Sequence, residues 1–154
     1  MIEATAPTEL DVRAALGEVP DPELPVVSVV DLGMVESVSV DAGRITVDLL
    51  PTFIGCPALE LIESAVAERL SSFGVPVDVA FTRRVPWTSD RITGPGRERL
   101  AAAGIAPPAE PADVRCPWCA SGRVVMDSAF GPTQCRSLFY CRDCRQPFEA
   151  LKPV

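Results

Sequence analysis

The chain has 154 residues, 47% of them apolar, a formal net charge of −7 and no histidine, a length that suits one compact domain, or a domain of about 100 residues with a small module attached. The acidity argues against general nucleic-acid binding, which needs clustered Lys and Arg against phosphate. The missing histidine removes Ser-His-Asp and Cys-His nucleophiles and every histidine-held zinc, haem or non-haem iron site, so few hydrolase or oxidoreductase mechanisms remain and no independent enzyme is expected.

No apolar run approaches the ~20 residues that span a bilayer. Residues 1–10 lack the basic start and apolar core of a secretory signal. A cytoplasmic protein without membrane contact is therefore expected. The charge is uneven: residues 1–114 carry 8 basic and 18 acidic side chains, residues 115–154 carry 6 and 3. That small basic excess offsets the negative charge of a thiolate metal site in the same segment and is weak grounds for an RNA or DNA partner.

From the N-terminus, Thr8-Glu9-Leu10-Asp11 reads as a helix start with Thr8 as N-cap, an apolar stripe at Leu10, Ala14 and Ala15, and a stop at Gly17. Asp21-Pro22-Glu23-Leu24-Pro25 cannot be helix interior and takes an extended or turning path. An apolar run follows, broken by Ser28 and Asp31. Residues 34–40 predict a strand, Asp41-Ala42-Gly43 a three-residue hairpin turn, and Ile45, Val47 and Leu49, alternating with polar residues, the partner strand. Leu59, Ile62, Val66, Leu70 and Phe73 recur at helical spacing and predict a long helix over 57–73, closed by Gly74. Residues 77–81 predict a third strand and residues 96–103 a short helix stopped by Gly104. The expected fold is α+β, a small three-stranded sheet packed with helices over 1–106. A Pro-rich linker over 107–114 and a C-terminal cysteine module over 115–154 complete the chain.

Five of six cysteines lie between 116 and 144. Cys116-Pro117-Trp118-Cys119 and Cys141-Arg142-Asp143-Cys144 are two CxxC pairs at the spacing of a tetrahedral four-sulfur zinc site. Each pair bends into a knuckle that aims two sulfurs at one point, and the stretch between has room for a hairpin that brings the knuckles together. About forty residues bury too little apolar surface to fold alone. Zinc supplies the deficit, on the order of 10 kcal/mol or more in small zinc peptides. Phe130, Leu138, Phe139, Tyr140 and Phe148 are expected to cover the sheet. A thiol-redox CxxC pair and a four-thiolate iron–sulfur cluster are the rival readings. A closed four-thiolate zinc site leaves no position for substrate and argues for a scaffold or docking role. Cys135 is an extra thiol, either an alternative ligand or a small packing group.

Cys56 stands apart, in Gly55-Cys56-Pro57 directly before the long helix. With Pro57 at the first helical position, Cys56 falls at or next to the N-cap, where the helix dipole favours a thiolate. It is either a reactive thiol that handles metal or a buried capping residue. Asp21, Glu23 and Asp31 are candidates to shape the same site, with a turn or capping role as the plain reading. Trp87 is expected in the core, with an exposed docking anchor as the other option.

Together, Asp21-Pro22-Glu23-Leu24-Pro25, Asp31-Leu32-Gly33 and Gly55-Cys56-Pro57 resemble the small domain of SufT-type iron–sulfur assembly factors. Pro86-Trp87-Thr88, Gly104-Ile105-Ala106-Pro107-Pro108, the cysteine module with Phe130-Gly131-Pro132-Thr133, and Phe148-Glu149-Ala150-Leu151-Lys152 extend the resemblance over nearly the full length. It is to the PaaD family, the D components of phenylacetyl-CoA epoxidase systems. Pro132 departs from the family's usual wording and stiffens the hairpin. The resemblance implies an accessory protein of a ring-epoxidising oxygenase in phenylacetate degradation. Such a protein helps mature the iron–sulfur cluster of the reductase component, with structural zinc and transient iron or cluster binding at Cys56. Oxygenase and reductase components are the implied partners, and a homodimer is an option because one thiolate is too few for a cluster. A purely structural adaptor of the oxygenase is the alternative.

Overall fold

The computed structural model describes residues 6–154. Residues 1–5, part of the stretch that lacks a signal's basic start, lie outside it. Among the described residues no helix is long and apolar enough to cross a membrane. The chain forms two compact units that divide between Trp87 and Thr88.

In the first unit Thr8 caps α1 (Glu9–Leu16). Its hydroxyl accepts from the Asp11 N–H at 3.2 Å, and its own N–H donates to the Asp11 carboxylate at 2.8 Å. The Thr8 hydroxyl also donates to the Asp11 carboxylate at 2.6 Å, and that bond first, then the one from the Thr8 N–H, hold the Asp11 carboxyl below its ordinary value. The buried stripe is Val12, Ala15 and Leu16; Leu10 and Ala14 face solvent, contrary to the expected stripe.

Strands β1 (Val35–Asp41) and β2 (Arg44–Leu49) pair antiparallel. Asp41 lies opposite Arg44, so the loop is the two residues Ala42-Gly43 rather than three. Both have positive φ, 47° and 71°, the geometry whose twist matches the flanking strands. A bulge between Val35 and Ser37 breaks strict alternation and turns Val35 and Val38 both inward. Helix α2 (Leu59–Ser71) carries the chain to β3 (Val77–Phe81), which pairs parallel to β2 from Ile45–Val77 to Leu49–Phe81. Ile62, Val66 and Leu70 of α2 join Val12, Leu16, Met34, Ile45, Val47 and Leu49 in a core closed to solvent. Each such side chain contributes about 1.5–3 kcal/mol on burial. Trp87 belongs to this core: its ring is buried and its Nε1–H donates to the Leu32 carbonyl at 2.8 Å. It is no docking anchor.

The second unit opens with a 3-10 turn (Ser89–Arg91) and α3 (Gly94–Ala102), capped by the Thr93 hydroxyl on the Gly96 N–H at 3.1 Å. Strands β4 (Ile105–Ala106), β5 (Val124–Ser128), β6 (Arg136–Cys141) and β7 (Pro147–Leu151) form one sheet in the order β4-β7-β6-β5. Ile105 and Ala106 pair parallel with Glu149 and Ala150. The division expected after residue 106 therefore differs from the observed one: α3 and β4 go with the cysteine module. The Pro-rich stretch is not a bare spacer either, because Val114 is buried in the second core and Ala109 packs on it.

Candidate metal centre

The two CxxC segments take up the same local geometry. The Cys116 N–H donates to the Ser121 carbonyl at 2.9 Å, and the Cys141 N–H to the Gln146 carbonyl at 3.0 Å, five residues on in each case. Ala120 (φ 62°) and Arg145 (φ 60°), each directly after the second cysteine, take the left-handed conformation that closes the turn. Pairing of β5 with β6 sets Val124 opposite Cys141, which brings the first knuckle beside the second.

The sulfurs meet. Cys116 Sγ lies 3.6 Å from Cys144 Sγ, Cys119 Sγ lies 3.6 Å from Cys141 Sγ, and all four fall within 4.8 Å of one another. A zinc ion with bonds of about 2.3 Å at a tetrahedron's centre sets sulfurs about 3.8 Å apart, so the donor set fits zinc. Backbone N–H groups point at the sulfurs. In the absence of metal, the Cys144 and Asp143 N–H groups help bring the Cys141 thiol down to about 7. Burial pushes Cys144 up to about 12. At Cys119 the Ser121 N–H pulls the pKa down, but desolvation and neighbouring thiols outweigh it and the net shift is upward. The Cys141 thiol thus ionises more readily than those of Cys119 and Cys144, which give up their protons against a cation.

Three residues whose identity the CxxC motif does not specify tie the knuckles together. Asp143, inside the second knuckle, accepts from the Ser121 hydroxyl and from Arg123 Nη1 at 2.6 Å, and the Arg123 N–H donates to Ser121 Oγ at 2.9 Å. The meeting of Arg123 with Asp143, twenty residues on, follows from the β5–β6 register, so nothing in the local sequence signals it. Trp118 of the first knuckle lies over Gly104, where a Cβ would overlap the indole and φ is 80°.

Behind the sulfurs, Phe139 and Phe148 stack with ring centres 5.6 Å apart, in a core with Ala106, Val114 and Ala150. The expected aromatic cover is only partly realised: Phe130 is 77% exposed, with Lys152 Nζ 5.1 Å over its ring, and Tyr140 is also exposed. Cys135 is half-buried, beside the Thr133 hydroxyl at 3.1 Å, at the far end of β6 from Cys141. The length of that strand separates the two cysteines by about 20 Å, so Cys135 is no alternative ligand.

Among the described residues these four cysteines are the one group of three or more Cys, Asp or Glu with ligand atoms in mutual reach. Asp21, Glu23, Asp31 and Cys56 form no such group. Asp21 is buried and accepts from the Glu23 and Leu24 N–H groups at 2.8 Å each. Asp31 is buried too. It accepts from the Ser28 N–H, and its own N–H donates to Ser28 Oγ, both at 3.0 Å. These hydrogen bonds place both carboxylates in turns. Cys56 is half-buried on a turn after Gly55 (φ 80°). The N-cap of α2 is Ala58, two residues beyond it, so Cys56 and Pro57 precede the helix rather than start it. The helix field falls off within the first turn and reaches Cys56 less than expected. Ile54 and Leu61 nearby in sequence are exposed.

The chain is thus an α+β domain followed by a four-cysteine β-ribbon. Residues 9–80 match the model of an iron–sulfur cluster assembly protein, and residues 102–152 that of the PaaD zinc beta ribbon domain. A protein of Escherichia coli (strain K12), provisionally named as the D component of 1,2-phenylacetyl-CoA epoxidase, is 40% identical over 94% of this chain and 92% of its own. An Fe-S protein maturation auxiliary factor of Porphyromonas gingivalis (strain ATCC BAA-308 / W83) is 36% identical over 56% of this chain and 84% of its own. The crystal structure of a domain of unknown function, DUF59, from Bacillus anthracis matches 60% of this chain and 90% of its own, at a TM-score of 0.56 and 31% identity. The chain belongs to the PaaD family, the D components of phenylacetyl-CoA epoxidases. The match to the ribbon model and the cysteine cluster together support a structural zinc.

Proposed function

We propose that this chain is a cytoplasmic accessory protein of a phenylacetyl-CoA epoxidase system, and that it helps mature the iron–sulfur cluster of the reductase component. One zinc, held by Cys116, Cys119, Cys141 and Cys144, keeps the ribbon folded and takes no part in chemistry, because four thiolates fill its coordination. The observation that carries the reading is the placement of Cys56. It is the one cysteine outside the ribbon, and it sits on a glycine turn beside the exposed side chain of Ile54 in the domain that matches assembly proteins.

Iron or a cluster is cargo in this scheme. A single thiolate holds it only while other ligands, from the client or a second copy, complete the coordination. The turns made by Asp21 and Asp31 brace the domain that presents Cys56. Cys56→Ser is expected to leave fold and zinc content intact, while reductase co-produced with it lacks its cluster by iron and sulfide analysis. Reductase with full cluster content beside that variant would overturn the reading. A structural adaptor is the second reading, favoured because among the described residues no clustered ligand set includes Cys56. Its signature is stoichiometric co-purification with the oxygenase and indifference to Cys56→Ser.

A further inference from the structure

Strand β5 is the outer strand of the ribbon sheet, and among the described residues no strand pairs with its free edge. The Arg142 N–H donates to the Arg123 carbonyl at 2.9 Å, so the backbone groups of Arg123 and, two residues on, Val125 face β6. Those of Val124 and Met126 point to the open edge. The edge carries no lysine or proline to repel another strand, and Val125 and Met126 are 39% and 41% exposed.

The segment Arg123-Val124-Val125-Met126-Asp127 reads as opposite charges flanking three apolar residues. Laid antiparallel on a second copy about a two-fold axis at Val125, Val124 falls opposite Met126. Both present outward N–H and C=O groups, so two hydrogen-bonded pairs close. Val125 meets Val125 on the axis, and Arg123 faces Asp127 at both ends. A one-residue slip sets outward groups against inward ones and forms no ladder. A two-residue slip restores the ladder but puts Arg123 opposite Ala129 or Val125 and loses both charge pairs. The bulge between Met126 and Ser128 falls at Asp127, beyond the two hydrogen-bonded pairs of Val124 with Met126, so the ladder itself stays regular and Asp127 contributes its exposed side chain. Arg123 already meets Asp143 at 2.6 Å, but its guanidinium is exposed and has five donors, enough for both carboxylates.

We infer that β5 is a self-recognition edge, through which two copies of this chain join their ribbon sheets into one eight-stranded sheet. The inference rests on the ribbon alone and is independent of Cys56. Its test is sedimentation of the full-length, zinc-loaded chain over a concentration series. The wild-type chain dimerises. Val125→Lys and Val125→Glu, each placing like charges face to face on the axis, raise the dissociation constant at least about tenfold while zinc content stays unchanged. An equimolar mixture of the two variants restores association, because ammonium then faces carboxylate. Asp127→Arg, at a side chain exposed in the fold, sets arginine against Arg123 and weakens the dimer likewise, should a change at Val125 disturb folding. A wild-type chain that stays monomeric throughout, a dimer indifferent to these substitutions, or a mixture that fails to re-form it would each overturn the inference.

Discussion

Replacing Cys141 by serine tests the metal centre most directly. Cys141 is fully buried, ends β6, and lies 3.6 Å from Cys119 Sγ. Its loss leaves three sulfurs and replaces the thiolate acceptor that the Cys144 and Asp143 N–H groups share with a neutral hydroxyl on a shorter bond. Structural zinc contributes about 10–16 kcal/mol at neutral pH in small domains. Shared among four ligands, that is about 2.5–4 kcal/mol for one sulfur, or about two to three orders of magnitude in affinity. Competition with a chromogenic chelator reads the affinity, and calorimetry reads folding. Cys141→Ser is expected to lose zinc to chelator concentrations that leave the wild type loaded, and to lose the melting transition of the second unit. The unit that ends at Trp87 contains none of the four ligands and should keep its own transition. Cys135→Ser, at the other end of the strand, should bind zinc as the wild type does. Wild-type zinc affinity in Cys141→Ser would refute the four-sulfur assignment.

Trp87→Phe removes the Nε1–H bond to the buried Leu32 carbonyl and leaves that acceptor unpaired, at a cost of about 1–3 kcal/mol to the first unit. A shift of several degrees in its melting midpoint is expected, and an unchanged midpoint would contradict the structural role of the indole nitrogen. Gly104→Ala forces a side chain into a left-handed position and against Trp118, costing the second unit about 1–2 kcal/mol. Trp118 fluorescence should report a more solvated indole; unaltered emission and melting would contradict that packing.

Much of this protein is written in short-range signals. Thr8 with Asp11, the alternation of Ile45, Val47 and Leu49, and the Ile62-Val66-Leu70 spacing each carry their own local physics, and the structure places helix, strand and helix there. The CxxC pairs are legible for the same reason, since each knuckle is one turn of chain. Helix boundaries are less so. Pro57 is not the first helical residue, because a turn through Gly55 and Cys56 delays the helix to Leu59. The turn at Asp41 is one residue shorter than its sequence suggests because Asp41 and Arg44 still pair.

Capping, periodicity and ligand spacing act within a few residues, which is why the elements and the four sulfurs can be read directly from the order of amino acids. Other features depend on long-range packing: Ile105 and Ala106 join a strand more than forty residues later, Val114 is core while Phe130 is not, and Asp21 and Asp31 brace turns. Those outcomes depend on which distant segment covers a side chain or completes a ladder, and that partner cannot be read from a residue's own neighbours.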